Sequence, residues 1–273
     1  MQDYCSYSCF SQLGHCGILS AKAGEAAFAA ARLTEKSEER ERYCRLAVMA
    51  GHREACRMFC LLHPERFDGH SPHKPFKLRG IRISFYGYYY PSRYNALLND
   101  EQRAFCHSIY QFKQGDIHGI EFFKTCMNAL QLKKRPYHIM FMPCSNWIKY
   151  GQRFKRLDWY IGKHRQDLTS GLYDVDICDA RESLHEAKGG EKRILERNYL
   201  ITGKIKGKEI IIIDDVLTTG QSVVDYKEEI ERCGGKVVAA IFYGKTLSMP
   251  SMLLVQIHVW GNHIAHIIER MTK

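Results

Sequence analysis

The chain has 273 residues, 45% of them hydrophobic and 26% charged, enough to bury a sizeable core and form one large domain or a medium one with an appendage. No stretch approaches the roughly 18 apolar residues of a membrane span, and the N-terminus lacks a basic-then-apolar leader, so a cytoplasmic protein without a membrane partner is expected. A net charge of +10 favours anionic partners, either small phosphorylated molecules or nucleic acid, although no Lys/Arg block resembles a nucleic-acid tail. Eleven cysteines, an odd number without a secretion signal, argue against a disulfide framework and suit small buried hydrophobes.

The first cysteines, Cys5, Cys9 and Cys16, lie close to His15. Four such groups can bind zinc, but the spacing fits no standard finger and suits cysteines on an amphipathic helix equally well. Residues 20 to 63 read as helical. Ala26, Ala27, Ala29, Ala30 and Ala31 offer a small-residue packing surface, and Ser37 is a candidate N-cap for a second helix carrying Tyr43, Leu46, Ala47 and Ala50 on one face. Gly51-His52 breaks to a third. The phrase from Tyr43 to Ala55 resembles a tetratricopeptide-related repeat, of which about one and a half copies are present where about three are needed to stand alone. These helices therefore need a surface to pack on: the rest of the chain, a second copy in a homo-oligomer, or a protein partner.

A Pro-containing loop marks a boundary near 75. Ile81 to Phe85 alternates like a half-buried strand and runs into Tyr86-Gly87-Tyr88-Tyr89-Tyr90, a cluster able to stack a base or to pack as an edge hairpin. Helices follow from Asp100, with Phe105, Ile109 and Phe112 on one face, and then through Ile120, Phe123, Met127 and Leu130. A buried strand from Tyr137 to Met142 ends at Pro143-Cys144-Ser145. A polar loop over 146–151 is expected before a basic helix containing Arg153, Lys155 and Arg156. Residues 174–200 are charge-rich and weakly periodic.

Ile210-Ile211-Ile212-Ile213 suits a central strand covered on both faces. Asp214 and Asp215 then stand at its C-terminal end, where ligands bind in open α/β sheets. Thr218-Thr219-Gly220-Gln221-Ser222 opens a helix with backbone N–H groups and hydroxyls suited to a phosphate. That helix, ended by Gly234-Gly235, leads to a strand over 237–243, a parallel crossover unit. In the tail from Ser248, Gln256 to Trp260 alternates while Ile264, Ile267 and Ile268 read as helical, and packing is its expected role.

The run from Ile210 to Ser222 resembles the signature of type I phosphoribosyltransferases, which bind 5-phosphoribosyl-1-pyrophosphate (PRPP). The resemblance implies an α/β fold: an open parallel sheet with flanking helices and a hood, here preceded by a small α-helical region. It divides the chain into 1–75, 76–247 and 248–273. It implies that Asp214 and Asp215 hold the ribose hydroxyls, that Thr218, Thr219, Gly220, Gln221 and Ser222 hold the 5-phosphate, and that Mg²⁺ assists. By position it makes Ser145, Asn146, Lys149 and Arg153 pyrophosphate-loop candidates. Arg181, His185 and Lys188 become hood candidates, although interleaved glutamates suit an exposed salt-bridged helix as well.

More widely, residues 78 to 247 resemble the competence protein F (ComF) family. Ile109 to Asp116 is similar to its aromatic-Lys turn, Tyr150 to Phe154 to a degenerate Arg-Gly-Phe-Asn segment, and Arg197-Asn198 to the stretch before its signature strand. Thr218 stands where purine salvage enzymes place an acidic residue, which disfavours that chemistry. The resemblance implies transfer of phosphoribose to an unidentified acceptor with release of pyrophosphate. The alternative is a non-catalytic PRPP-responsive protein, or a ComF-like one associated with DNA uptake.

Overall fold

A computed structural model describes residues 21–177 and 198–272. Cys5, Cys9, His15 and Cys16, and the hood candidates Arg181, His185 and Lys188, lie outside the described residues. The chain forms two compact units.

The helical unit contains α1 (Ala21–Leu33), α2 (Ser37–Met49), α3 (Arg53–Leu62), the short α4 (Pro64–Asp68) and α9 (Met252–Met271). The alanine-rich face does what its small side chains permit. Ala27 and Ala31 are buried with Ala47, Val48, Ala55 and Phe59, and a Cβ placed on Gly24 would stand 2.9 Å from that of Ala50. Ser37 is the first residue of α2 rather than its cap. Lys36 takes the cap position without a side-chain bond, whereas His52 caps α3 by accepting the Ala55 N–H at 3.1 Å. Val255 and Val259 bring the C-terminal segment into this same core, and its alternating 256–260 stretch is part of one continuous helix. No helix among the described residues is long and apolar enough to cross a membrane.

The second unit is the expected α/β structure. Its six-stranded sheet runs β1 (Phe76–Leu78), β2 (Ile81–Tyr89), β8 (Lys236–Thr246), β7 (Glu209–Leu217), β3 (Tyr137–Phe141), β4 (Leu168–Ser170). All neighbours are parallel except the β1–β2 hairpin. Ile211 and Ile213 face one side, sharing a core with Ile139, Phe141, Ile241 and residues of α5 (Asp100–Gln114), α6 (Ile120–Leu130) and α7 (Trp147–His164). Alternation sends Ile210 and Ile212 to the other side. There α8 (Gln221–Arg232) packs, with Ile210 and Ile230 both bordering Gly235. Cover on both faces explains four consecutive isoleucines, each with no exposed surface.

A separate two-stranded antiparallel pair, β5 (Val175–Ile177) with β6 (Tyr199–Ile201), brackets residues 178–197. Its base is pinned by a buried polar group. His138 contacts Thr169 Oγ1 and Asp174 Oδ2, each at 2.7 Å, and the Thr202 and Gly203 N–H groups donate to the Asp174 carbonyl. Burial pushes the His138 pKa down, as does the Lys208 charge, against the pull of Asp174.

Candidate functional site

Topology selects the place. From β3 the chain crosses outward to β4, while from β7 it crosses the opposite way to β8. β3 and β7 are adjacent, so their C-terminal ends flank a crevice where successive crossovers depart in opposite directions. Open α/β sheets bind ligands at such a switch point. Two loops meet there, Met142 to Asn146 after β3 and Thr218 to Gly220 after β7.

β7 carries the acidic pair to this crevice. Asp214 and Asp215 continue the strand past the isoleucines, and successive residues of a strand point to opposite faces. Asp215 is 7% exposed and forms an ion pair with Arg153; Lys113 Nζ lies 3.7 Å from its Oδ2. Arg153 also stands 3.9 Å from Asp214 Oδ1. Asp214 Oδ1 accepts the backbone N–H of Asp215 at 2.7 Å. Burial and the neighbouring Asp215 charge push Asp214 up to about 8, and Arg153 and Lys113 pull the other way without prevailing. A carboxyl that titrates near neutrality beside a second, ion-paired carboxylate is a polar pair suited to a ligand rich in hydroxyls. Arg153 Nε is buried and makes no hydrogen bond among the described residues, so the guanidinium keeps an unused donor here.

The β7–α8 turn lies beside this pair. Thr218 and Thr219 are exposed, Gly220 is buried, and α8 starts at Gln221. Gly220 has φ 78°, and a Cβ there would collide with Leu78, so the position demands glycine for both backbone and space. With no side chain, it offers α8 no cap; Thr219 Oγ1 stands 3.4 Å from the Gln221 N–H. Gln221 holds neighbours: its Oε1 accepts from Arg79 Nη1 at 2.5 Å, and its Nε2 donates to Asp225 at 2.6 Å. First-turn N–H groups at the positive end of a helix dipole can cradle an anion.

Across the crevice the expected polar loop over 146–151 is instead the start of α7, which begins at Trp147. Tyr150, Phe154, Leu157 and Ile161 are buried at helical spacing and extend the helix back to that point. Asn146 is its N-cap, accepting the Lys149 N–H at 2.9 Å, and the Lys149 side chain is exposed. The loop proper shortens to Met142 to Asn146. Asn198 donates to the Cys144 carbonyl at 2.8 Å and so ties this loop to the start of β6. Burial pushes the Cys144 thiol up to about 12, which leaves it inert as a nucleophile.

The structure thus brings Asp214, Asp215 and Arg153 together at one end of the sheet. The residues Thr218 to Ser222 line the adjoining turn, Asn146 serves the backbone, and Lys149 faces solvent. Two further cations reach the site. Lys113 closes α5, and the aromatic-Lys turn is its sole signal; Arg79 sits in the β1–β2 turn with φ 46°. The tyrosine cluster packs rather than standing free: Tyr88 in β2 and Tyr90 just after it are buried, and Tyr86 meets Tyr243 edge-on.

Two comparisons accord with this geometry. The phosphoribosyl transferase domain family matches residues 166–246, the span from before β4 to the end of β8. The orotate phosphoribosyltransferase of Sulfolobus acidocaldarius is 42% identical over 57 residues, 20% of this chain and 26% of that enzyme. The match thus spans about a quarter of the relative's length. The architecture is that of the type I phosphoribosyltransferase fold, with an N-terminal helical region.

Proposed function

We propose that the second unit binds PRPP and transfers its 5-phosphoribosyl group to an acceptor nucleophile. One observation carries this reading: the Asp214–Asp215 pair lies beside the uncapped N-terminus of α8, at the switch point between β3 and β7. In the reaction the bond from the anomeric carbon to pyrophosphate oxygen breaks, and pyrophosphate leaves with the electron pair. A bond from the acceptor to the same carbon forms, and the acceptor gives up its proton.

Each group has a task that follows from its position. The carboxylates accept hydrogen bonds from the ribose hydroxyls. The N–H groups and hydroxyls from Thr218 to Ser222 take the 5-phosphate, and Arg79 adds a positive charge on its outer side. Arg153 and Lys113 meet the charge that develops on pyrophosphate, a stabilisation strongest where water is excluded. Among the described residues no group of three or more His, Cys, Asp or Glu side chains could hold a metal ion. Asp214 and Asp215 fit a minor share of an Mg²⁺ shell, whose other ligands would be substrate oxygens and water. When bound, the ion would supply charge neutralisation to the leaving group.

Resemblance to orotate transferases and to the ComF family supports a nucleobase or small amine, and Thr218 argues against a purine handled by a carboxylate at that position. Calorimetric titration with Mg²⁺ and PRPP, followed by pyrophosphate release with orotate and a panel of other bases, tests the proposal. Binding is expected in the parent chain and not in the Asp214→Asn, Asp215→Asn double variant. No heat with a demonstrably folded protein would refute PRPP binding. Binding without pyrophosphate from any acceptor would leave a PRPP-responsive protein in place of an enzyme.

A further inference from the structure

In the helical unit, α9 has two apolar faces of different length. The inner one, Val255 and Val259, is buried in the core, and Gln256 Nε2 adds a bond to the Val48 carbonyl at 3.3 Å. One and two turns further on, the same face reads Asn262 and His266, and it is exposed. The outer face does not stop. Leu253, Ile257, Trp260, Ile264, Ile267 and Met271 follow at alternating gaps of four and three residues, to the end of the helix. Apart from the half-buried Trp260, these side chains are between 45% and 81% exposed. Leu254 and Ile268 widen the stripe at one edge.

These gaps average 3.6 residues, the repeat of a straight α-helix, so the stripe stays on one side of α9 along its whole length and can lie against a single partner helix. We propose that this stripe is the seam of an antiparallel two-helix contact with a second copy of the same chain. The pattern reads alike in both directions. In antiparallel order Leu253 meets the partner's Met271, Ile257 the partner's Ile267, and Trp260 the partner's Ile264, which avoids setting two indoles against each other.

These pairs centre on Asn262, and Gly261 lies next to that centre on the edge of the stripe that also carries Leu254 and Ile268. It is helical, and a Cβ there would meet nothing within 4 Å in its own chain, so neither backbone nor internal packing calls for glycine at a position where it weakens a helix. A second backbone approaching closely does call for it.

Charge is compatible with self-association. Flanking the stripe opposite Leu254, Gly261 and Ile268 are Gln256, His263 and Arg270, and antiparallel order sets Arg270 against the partner's Gln256, not against another arginine. The polar side offers histidines and Asn262 in place of the lysines and arginines of helices that lie on membranes. The seven exposed side chains, each able to bury roughly 100 Å², provide on the order of 700 Å² per copy, close to the roughly 800 Å² of a standard interface.

Sedimentation of the full chain over a concentration series tests the proposal, beside Ile264→Glu, Ile267→Glu and, separately, Gly261→Leu. The parent is expected to dimerise. The double variant should be monomeric, with unchanged helix content because both sites are exposed. Gly261→Leu, which favours the helix itself, should weaken the dimer by about tenfold or more. A monomeric parent overturns the inference, including one that instead binds anionic vesicles. So does a dimer indifferent to the two glutamates. A Gly261→Leu dimer as tight as the parent's overturns the close antiparallel register.

Discussion

Two helices, α7 and α8, begin at the same crevice, and they begin differently. Both point the positive end of a dipole toward the switch point. The Asn146 carboxamide occupies the Lys149 N–H at the start of α7. At the start of α8 stands Gly220, which has nothing to offer, with two threonine hydroxyls alongside. A helix terminus becomes an anion site when its own sequence declines to cap it. From one turn further along, α7 contributes a cation: Arg153, ion-paired with Asp215. One helix presents backbone donors and the other presents charge, so a bound sugar phosphate would be gripped by unlike means on its two sides.

The largest effect is expected from closing the open terminus. Gly220→Val puts a β-branched residue at φ 78° and drives its Cβ into Leu78. Strain of this kind costs about 1–3 kcal/mol, and the turn must move to relieve it. PRPP binding should disappear from calorimetry, and chemical denaturation should show the stability loss. If affinity stays within about tenfold of the parent, the α8 terminus is not the phosphate site.

A smaller change is expected from the cation on the other side. Hydrogen bonds to charged groups are worth about 1.5–3 kcal/mol, so Arg153→Gln should weaken PRPP binding by about ten- to a hundredfold. Arg153 also lowers the Asp214 pKa, so its removal should move that titration above the value of about 8. The ionised carboxylate is the better acceptor for ribose hydroxyls. Affinity in the parent should therefore rise as pH increases through that region, and the rise should come at higher pH in Arg153→Gln. An affinity profile that Asp214→Asn leaves unaltered would assign the titration to another group.

Legibility in the sequence followed the range of the interactions. The isoleucine ladder, the acidic pair and the Thr-Thr-Gly turn are contiguous, so strand, site and helix start could be read from one window. The start of α7 was obscured because Asn146, Lys149, Gly151 and Gln152 look like a loop. Its inner face is nevertheless periodic once Tyr150 is counted with Phe154, Leu157 and Ile161 as a buried residue. In the same way, the alternation over 256–260 hid the gaps of four and three that run through it and belong to a helix. Lys113 and Arg79 reach the site from α5 and the β1–β2 turn, and no spacing rule links them to Asp215 or Gln221. Convergence of distant segments is a property of the sheet order, which has no local signature.

The smallest expected effect is also the sharpest control on the comparison. Asn146→Ala removes the α7 cap and should cost about 1 kcal/mol of stability, the usual worth of such a residue. Because the carboxamide is committed to the Lys149 N–H, PRPP affinity should stay within about twofold of the parent. A pyrophosphate contact through Asn146 requires that bond to open when ligand arrives. Affinity would then fall with the substitution, and the asymmetry between the two helix starts would hold for the unliganded protein alone. Denaturation and calorimetry on the same preparation separate the outcomes, since one reports the cap and the other the ligand.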